Sequence, residues 1–416
     1  MIRNGRNDVD ELSYEAVTLE RSWSPFLGCL KFTGVAYDWF AKVEGCHSSA
    51  ARHIISFAVS VLAVVNNAYF FIQLAIVKWE ELETTKLVSM LSICAIHIPP
   101  ILTAFTFWHR RQIWVLFDQW KTLESDLKCF NGSRIKSAMR TQYSVHFCNV
   151  FFGVVSLSIW NVMEPDFPCF FSHYCVLSDI FGLYPLVLVQ SVSVFFSLLW
   201  HTSMTELLPS TFFFHAGCAV ENLRLEWETR TRNGASVQRI WTLYGTIFRL
   251  VDRANDLFGS AMVISDANIL VMMCILTFLT VKYWWAGSNL YLLVSTLLVI
   301  MLLRKLWMNS LTWHLTACCQ KLRRSVTDRL GVNWYWLAQE DRDFILSLFS
   351  VLQDGEMVIR PLNLYSITPG NLLSMLTLVA TYIVLLFESI KWNIHHFPLT
   401  ADINCWMCVV SWATAS

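Results

Sequence analysis

Three polar side chains near the end of the chain share one face of a predicted helix. Thr377, Thr381 and Glu388 lie in the apolar segment that follows Pro369-Gly370, at spacings of four and seven residues. On an α-helix, these spacings place the three side chains close to one face. Two hydroxyls and a carboxylate in line could form part of an aqueous path for ions. The alternative is that the threonines hydrogen-bond to their own helix and Glu388 lies at a membrane interface.

The composition is that of a polytopic membrane protein. Of the 416 residues, 55% are hydrophobic and 15% are charged, whereas soluble domains have about 25% charged residues. The 19 Trp and 29 Phe residues suit lipid-facing surfaces with aromatic belts. The formal net charge is zero, so a nucleic-acid partner has no electrostatic basis.

The helix that carries the polar stripe is the last of seven predicted transmembrane helices. Each segment is long and apolar enough to cross about 30 Å of hydrocarbon. The amino-terminal segment 1–53 is polar and has no signal-peptide pattern, so we expect the first span to act as the targeting signal. The predicted spans are 54–77, 87–108, 143–163, 178–204, 257–283, 289–309 and 371–390.

The positive charges divide unequally between the two sides of these spans. Of the 31 Lys and Arg residues, 27 fall on the side of the amino-terminal segment and 4 on the other side. Because positive residues stay in the cytosol, the amino terminus is predicted to be cytosolic and the carboxyl terminus extracellular. This orientation is opposite to that of G-protein-coupled receptors. The third span also lacks an Asp-Arg-Tyr motif, and the seventh lacks Asn-Pro-x-x-Tyr.

The connections on the cytosolic side are long and helical in pattern. They are the loops 109–142 and 205–256, both within the region 54–309 that holds the first six spans, and the segment 310–370. Amphipathic helices cannot bury an apolar face alone, so we expect these segments to pack together beneath the membrane as an anchor region. The periodicity predicts helices over 236–256, continuing into the fifth span, and over 310–330 and 341–362.

The segment 391–416 is predicted to form an extracellular tail. It contains Cys405 and Cys408, which would lie outside the cell and could form a disulfide. Elsewhere the cysteines are scattered, and no Cys/His set has the spacing of a structural zinc site. No metal and no cofactor is expected.

The last span contains Thr381-Tyr382, then five hydrophobic residues, then Glu388-Ser389. This resembles the signature of the insect gustatory receptors, within the insect chemoreceptor family that includes the odorant receptors. The family pattern is Thr-Tyr, five hydrophobic residues and Gln-Phe. Here Glu388 replaces the Gln and Ser389 replaces the Phe, and 27 further residues follow, more than is usual in the family. The predicted topology with long cytosolic loops is also similar to that of the family.

The resemblance implies a ligand-gated, non-selective cation channel in the plasma membrane. Family members look like homo- or heterotetramers in which each subunit contributes its last helix to a central pore. Four copies of Glu388 would concentrate Na⁺, K⁺ and Ca²⁺ near the outer mouth. Leu385 falls where the family has a hydrophobic constriction, with Thr381 and Thr377 deeper in the pore. The alternative is that Leu385 faces lipid, since helix rotation is not determined by the sequence.

The resemblance also implies a small-molecule tastant bound in the outer half of the bundle of the second to sixth spans. Aromatic side chains with a few polar groups suit such a site, although interfacial Trp and Tyr are commonly membrane anchors. Asp266 lies inside the fifth predicted span, where a carboxylate is a functional candidate. The alternative is that it lies close to the cytosolic interface or bonds to a neighbouring helix. Glu206 is expected where the fourth span leaves the bilayer. The ligand-binding candidates are Trp160, Asn161, Tyr184, Gln190, Tyr283, Trp284 and Tyr291.

The sequence lacks the motifs that are typical of other function classes. The sequence has no Gly-rich phosphate loop, no Ser-His-Asp order and no metal motif, so an enzyme is not expected. A secondary transporter would show an internal repeat and paired broken helices. Two alternatives stay open: a channel-forming co-receptor that binds no ligand, and a subunit like the odorant receptors.

Overall fold

The computed structural model describes the central and carboxyl-terminal parts of the chain. The first predicted span, the segment before it, and the tail with Cys405 and Cys408 lie outside the described residues. Among the residues described, all regular secondary structure is helical. The described residues are 94–95, 98–103, 111–127, 132–163, 191–192, 194–195, 198–199, 201–230, 234–285, 287–333, 339–354 and 357–396.

The described residues form mainly long α-helices. A π-helical turn, Ser203–Leu207, leads directly into the third of them, and a short 3₁₀ turn, Pro361–Asn363, precedes the last. The helices are α1 (Arg111–Leu127), α2 (Gly132–Met163), α3 (Leu208–Arg230), α4 (Gly234–Trp285), α5 (Leu290–Asn333), α6 (Gln339–Asp354) and α7 (Pro369–His396).

Two helices continue without a break from a predicted span into a predicted cytosolic segment. The 52-residue α4 joins the amphipathic segment 236–256 to the fifth span, and the 44-residue α5 joins the sixth span to the segment 310–330. Within them, Val237–Trp284 and Leu290–Asp328 are long and apolar enough to cross a membrane. Among the described residues α7 contributes a shorter apolar stretch, Leu373–Tyr382. The count of seven spans and their orientation stay predictions.

The predicted helix over 341–362 is wrong at its carboxyl end. Helix α6 ends at Asp354, and the backbone of 357–360 is not helical. Pro361 prevents the helix from extending to 362, because a proline disfavours the α conformation of the residue before it. Arg360 accordingly has φ −125° and ψ 83°. The loop is closed by a hydrogen bond from the Ile367 N–H to the Ile359 carbonyl, at 2.9 Å.

The amphipathic helices bury their apolar faces against one another. In α1 five apolar residues recur every three or four positions, which places them on one face. These five are buried in a core shared with α3, α4, α5 and α6. Trp120 lies edge-on to Phe212 of α3, with 5.0 Å between ring centroids. The buried residues of α1 are Ile113, Leu116, Trp120, Leu123 and Leu127.

The loop between α6 and α7 packs closely on α4 at Gly259. A Cβ atom at this position would lie 2.8 Å from the backbone N of Leu362. The Asn255 side chain holds the same loop, donating to the Val358 carbonyl and accepting from the Arg360 N–H, each at 3.3 Å. Leu362 itself has φ +50°, so this backbone has little freedom to move away.

Gly259→Ala is therefore expected to destabilise the protein by about 1–3 kcal/mol, because the added methyl group overpacks against backbone. Thermal unfolding of the purified protein measures this change. Gly245→Ala is the matched control, since Gly245 lies in the same helix and a Cβ atom there meets nothing within 4 Å. Equal unfolding temperatures for the two variants would contradict the prediction.

Candidate ligand-binding site

A cavity of about 140 Å³ lies between α2, α4, α5 and the residues that lead into the π turn. Its walls are mainly aliphatic and its polar groups are few, which is the usual character of a small-molecule site. On α5 the lining begins at Leu290 and ends at Arg304, a distance of about 21 Å at 1.5 Å per residue. Apolar lining residues include Val150, Ile269, Met272, Leu276, Leu293 and Leu297.

One end of the cavity is closed by an ion pair between Glu206 and Arg304. The Arg304 Nε and Nη2 atoms lie 2.7 Å and 2.5 Å from Glu206 Oε2. Both side chains are buried, and both line the cavity. Two donors on one oxygen give a strong charge-assisted contact, and the pair carries no net charge.

Neighbouring side chains fix the orientation of this ion pair. Ser265 of α4 donates its hydroxyl hydrogen to Glu206 Oε1 at 2.6 Å. Arg304 Nη1 donates to Asn149 Oδ1 of α2 at 3.1 Å, while the Asn149 amide donates to the Ile300 carbonyl at 3.3 Å. The ion pair thus joins the π turn, α2, α4 and α5 at one point.

The next residue of α5 forms a second buried ion pair. Lys305 contacts Asp266 of α4, and the Tyr365 hydroxyl donates to the other carboxylate oxygen of Asp266 at 2.5 Å. Tyr365 belongs to the loop that leads into α7. Arg304 therefore lies at the cavity end, while the adjacent Lys305 is connected through Asp266 to the loop before α7.

His201 is a further polar residue of the cavity wall. It is 2% exposed, and its Nδ1 atom lies 2.8 Å from Thr103 Oγ1. The Thr103 hydroxyl donates its hydrogen to the Pro99 carbonyl, also at 2.8 Å. Thr103 Oγ1 therefore acts as the acceptor of the His201 contact, and Nδ1 carries the ring hydrogen. In a neutral ring this assignment leaves Nε2 as an acceptor.

The structure places the predicted ligand-binding residues in different environments. Tyr283 is 5% exposed and lines the cavity, whereas Trp284 is 60% exposed. Tyr291 packs beside Tyr283 in a cluster of α4 and α5 without lining the cavity. The backbone of 160 and 161 belongs to α2, but the side chains of Trp160 and Asn161 lie outside the described part. Tyr184 and Gln190 lie outside the described residues altogether.

Three of the predicted pore-lining residues, Thr377, Thr381 and Leu385, lie on an exposed face of α7. Val379 is buried against Ile269 and Met273 of α4, whereas Thr377, Thr381 and Leu385 are exposed, Leu385 at 61%.

The hydroxyls of this face bond to their own helix. Thr377 and Thr381 each donate to the carbonyl four residues earlier, at 2.9 Å. This is the alternative that the sequence left open for the threonines, and it leaves their oxygen atoms able to accept. Tyr382, the second residue of the signature, is half-buried, and the Glu388 side chain is outside the described part.

Sequence reasoning missed the basic half of the site. Asp266 stood out as a carboxylate inside a predicted span and Glu206 was placed only at the end of one, while Arg304 and Lys305 entered only as charges that set the orientation. The position of the two basic residues directly after an apolar run, at the same predicted side as the two carboxylates, was an available signal for pairing. His201 and Asn149 had no such signal. Within the described residues, no group of three or more His, Cys, Asp or Glu could hold a metal ion.

Comparison with known proteins gives structural relatives only. No protein-family model and no curated protein matches the chain. The chain is similar to two solved structures of the insect olfactory receptor OR5 from Machilis hrabei, one of them in complex with eugenol. In each case the TM-score is 0.60 at 15% sequence identity, over 89% of this chain and 98% of the receptor. The chain therefore has the fold of an insect olfactory receptor.

Proposed function

We propose that this chain is a chemoreceptor subunit that forms a ligand-gated, non-selective cation channel, with a small-molecule tastant as its ligand. The observation that carries the proposal is a cavity of ligand size among the helices of a chain that has the olfactory-receptor fold. The gustatory assignment is supported by the Thr381-Tyr382 signature in the last helix. The Machilis receptor, at 15% identity, supports a shared fold.

The proposed subunit crosses the plasma membrane seven times, with a cytosolic amino terminus and an extracellular carboxyl terminus. The unequal distribution of Lys and Arg supports this orientation. The two span-length stretches in α4 and α5 support membrane insertion. The packed core of α1, α3, α6 and the inner halves of α4 and α5 would then lie in the cytosol as the anchor region.

The proposed pore is formed by four copies of α7, one from each subunit of a homo- or heterotetramer. The face with Thr377, Thr381 and Leu385 is exposed on the single chain, so it is available to line a central axis. Glu388 would extend the same stripe by one turn and attract cations to the outer mouth.

Current recordings from cells that express the full chain test this function. We expect sugars or bitter compounds from a broad panel to open a cation conductance. Met272→Trp should reduce the response at least about tenfold, because the larger side chain occupies the cavity that Met272 lines. Val271→Trp is the matched control, since Val271 is exposed on the same helix and does not line the cavity. A surface-expressed chain without any ligand-dependent current would contradict the proposal.

A volatile odorant is the second candidate for the ligand, because the solved structures that match are those of an olfactory receptor. Volatiles should therefore be included in the panel. Channel activity that only appears with a second receptor, and that Met272→Trp leaves unchanged, would instead indicate a co-receptor.

A further inference from the structure

We propose that the inner end of the cavity, formed by Glu206, Arg304 and His201, binds one hydroxyl group of a neutral and otherwise apolar ligand. The ligand has about the size of a single aromatic ring. This inference rests on the proposed function, because it takes the cavity as the ligand site. It adds the chemical class of the ligand and the residues that select it.

Charge is the first constraint on the ligand. Among the described residues that line the cavity, Glu206 and Arg304 alone carry charge, and they neutralise each other at 2.5 Å. The adjacent Lys305 is likewise paired with Asp266. A charged ligand group would thus find no opposite charge left to pair with, and burying an unpaired charge is unfavourable. The ligand is therefore neutral.

The second constraint on the ligand is a hydrogen-bond acceptor on the cavity wall, which calls for a donor on the ligand. His201 Nδ1 donates to Thr103, so Nε2 presents a lone pair. Within the described residues no hydrogen-bond partner of Nε2 is found, and His201 lines the cavity while being 2% exposed. A ligand group that donates a hydrogen bond would satisfy this acceptor.

The third constraint on the ligand is a hydrogen-bond donor on the cavity wall, which calls for an acceptor on the ligand. Arg304 has five N–H bonds. Its contacts with Glu206 and Asn149 use three of them, from Nε, Nη2 and Nη1. The remaining N–H bonds belong to a side chain on the cavity wall, so they can donate to a ligand oxygen.

A hydroxyl group satisfies all three constraints, because it is neutral and both donates and accepts. A ketone or an ether could accept from Arg304 but would leave His201 without a donor. An ammonium group could donate to His201 but would bring a positive charge towards Arg304. The aliphatic walls suit an apolar remainder, and a cavity of about 150 Å³ is known to accept benzene, close to the 140 Å³ found here.

A matched series of probe molecules tests this inference on the full chain purified in detergent. The series is p-cresol, 4-methylanisole and p-xylene, which share one ring and differ in a hydroxyl, an ether and a methyl group. Ligand-dependent shifts of the unfolding temperature give the apparent affinities. We expect p-cresol to bind about tenfold more tightly than the other two, as loss of one hydrogen bond implies. Equal affinities, or no binding by any of the three, would overturn the inference.

A substitution at His201 tests whether this residue is responsible for the preference for a hydroxyl group. His201→Phe keeps a ring of similar size but removes the acceptor, so the preference for p-cresol should fall below about twofold. His314→Phe is the matched control, because His314 stacks on Phe214 with 4.9 Å between ring centroids and does not line the cavity. Undiminished preference in a folded His201→Phe protein would overturn the assignment of the acceptor.

Binding and current together separate this inference from the proposed function. Hydroxyl-selective binding without any ligand-gated current would contradict the channel and support the inference. Ligand-gated current with equal potency for the three probes would support the channel and overturn the inference. A stronger effect of 4-methylbenzylamine than of p-cresol would also overturn it, because that ligand is positively charged.

Discussion

Replacing Arg304 with methionine is expected to destabilise the folded protein by about 3–5 kcal/mol, because it leaves a buried carboxylate without its cation. Glu206 is buried, and the Ser265 hydroxyl at 2.6 Å cannot replace a full positive charge. The change should lower the unfolding temperature of the purified protein and the fraction that reaches the cell surface. Both quantities can be measured without a ligand.

Two further variants separate the ion pair from a general effect of charge removal. The double variant Arg304→Met with Glu206→Gln should recover most of the lost stability, since neither partner is then charged. Arg224→Met removes an arginine that pairs with Glu221 at 2.8 Å on a more exposed surface, and it should cost no more than about 1 kcal/mol. If Arg304→Met and Arg224→Met cost the same, Glu206 is not dependent on Arg304.

Replacing Leu385 with serine is expected to raise the resting cation current several-fold, in the absence of ligand. In the proposed tetramer four Leu385 side chains form a hydrophobic constriction, which closes by excluding water. Serine is smaller and polar, so the constriction would hold water and conduct. Whole-cell currents, normalised to the amount of protein at the surface, measure the change.

Leu376 supplies the control. It lies nine residues before Leu385 in α7, which places it on the opposite side of the helix, and it is 37% exposed. Leu376→Ser should therefore leave the resting current at its wild-type level. A leak in Leu376→Ser with none in Leu385→Ser would place a different face of α7 at the pore.

Hydrophobic periodicity predicted only part of the helical structure in the described residues. The amphipathic segment 236–256 and the fifth span form one helix, as predicted, because their apolar residues keep the same period. The predicted ends of helices were less accurate. Pro361 keeps Arg360 out of the α conformation, so the predicted helix 341–362 could not extend that far. Helix α7 begins at Pro369 rather than 371, since proline suits the first turn of a helix.

The candidate site was only partly predictable, because it depends on contacts between residues distant in the chain. The sequence shows that Asp266 is unusual for its surroundings, yet it does not show which cation Asp266 or Glu206 contacts. Glu206 and Arg304 are 98 positions apart, and only the packing of α4 and α5 around the π turn brings them together. The orientation of His201 likewise depends on Thr103 of another segment.

The unbroken length of α4 has a mechanical consequence. A straight helix of 52 residues measures about 78 Å, more than twice the hydrocarbon thickness of about 30 Å. A rigid rod of that length, tilted by 5° about its outer end, moves its inner end by about 7 Å. The cavity wall at Leu276 and the close contact with the loop at Gly259 both lie on α4, about 26 Å apart along the helix. A sub-ångström displacement near the cavity would therefore reach the base of α7 as a larger one.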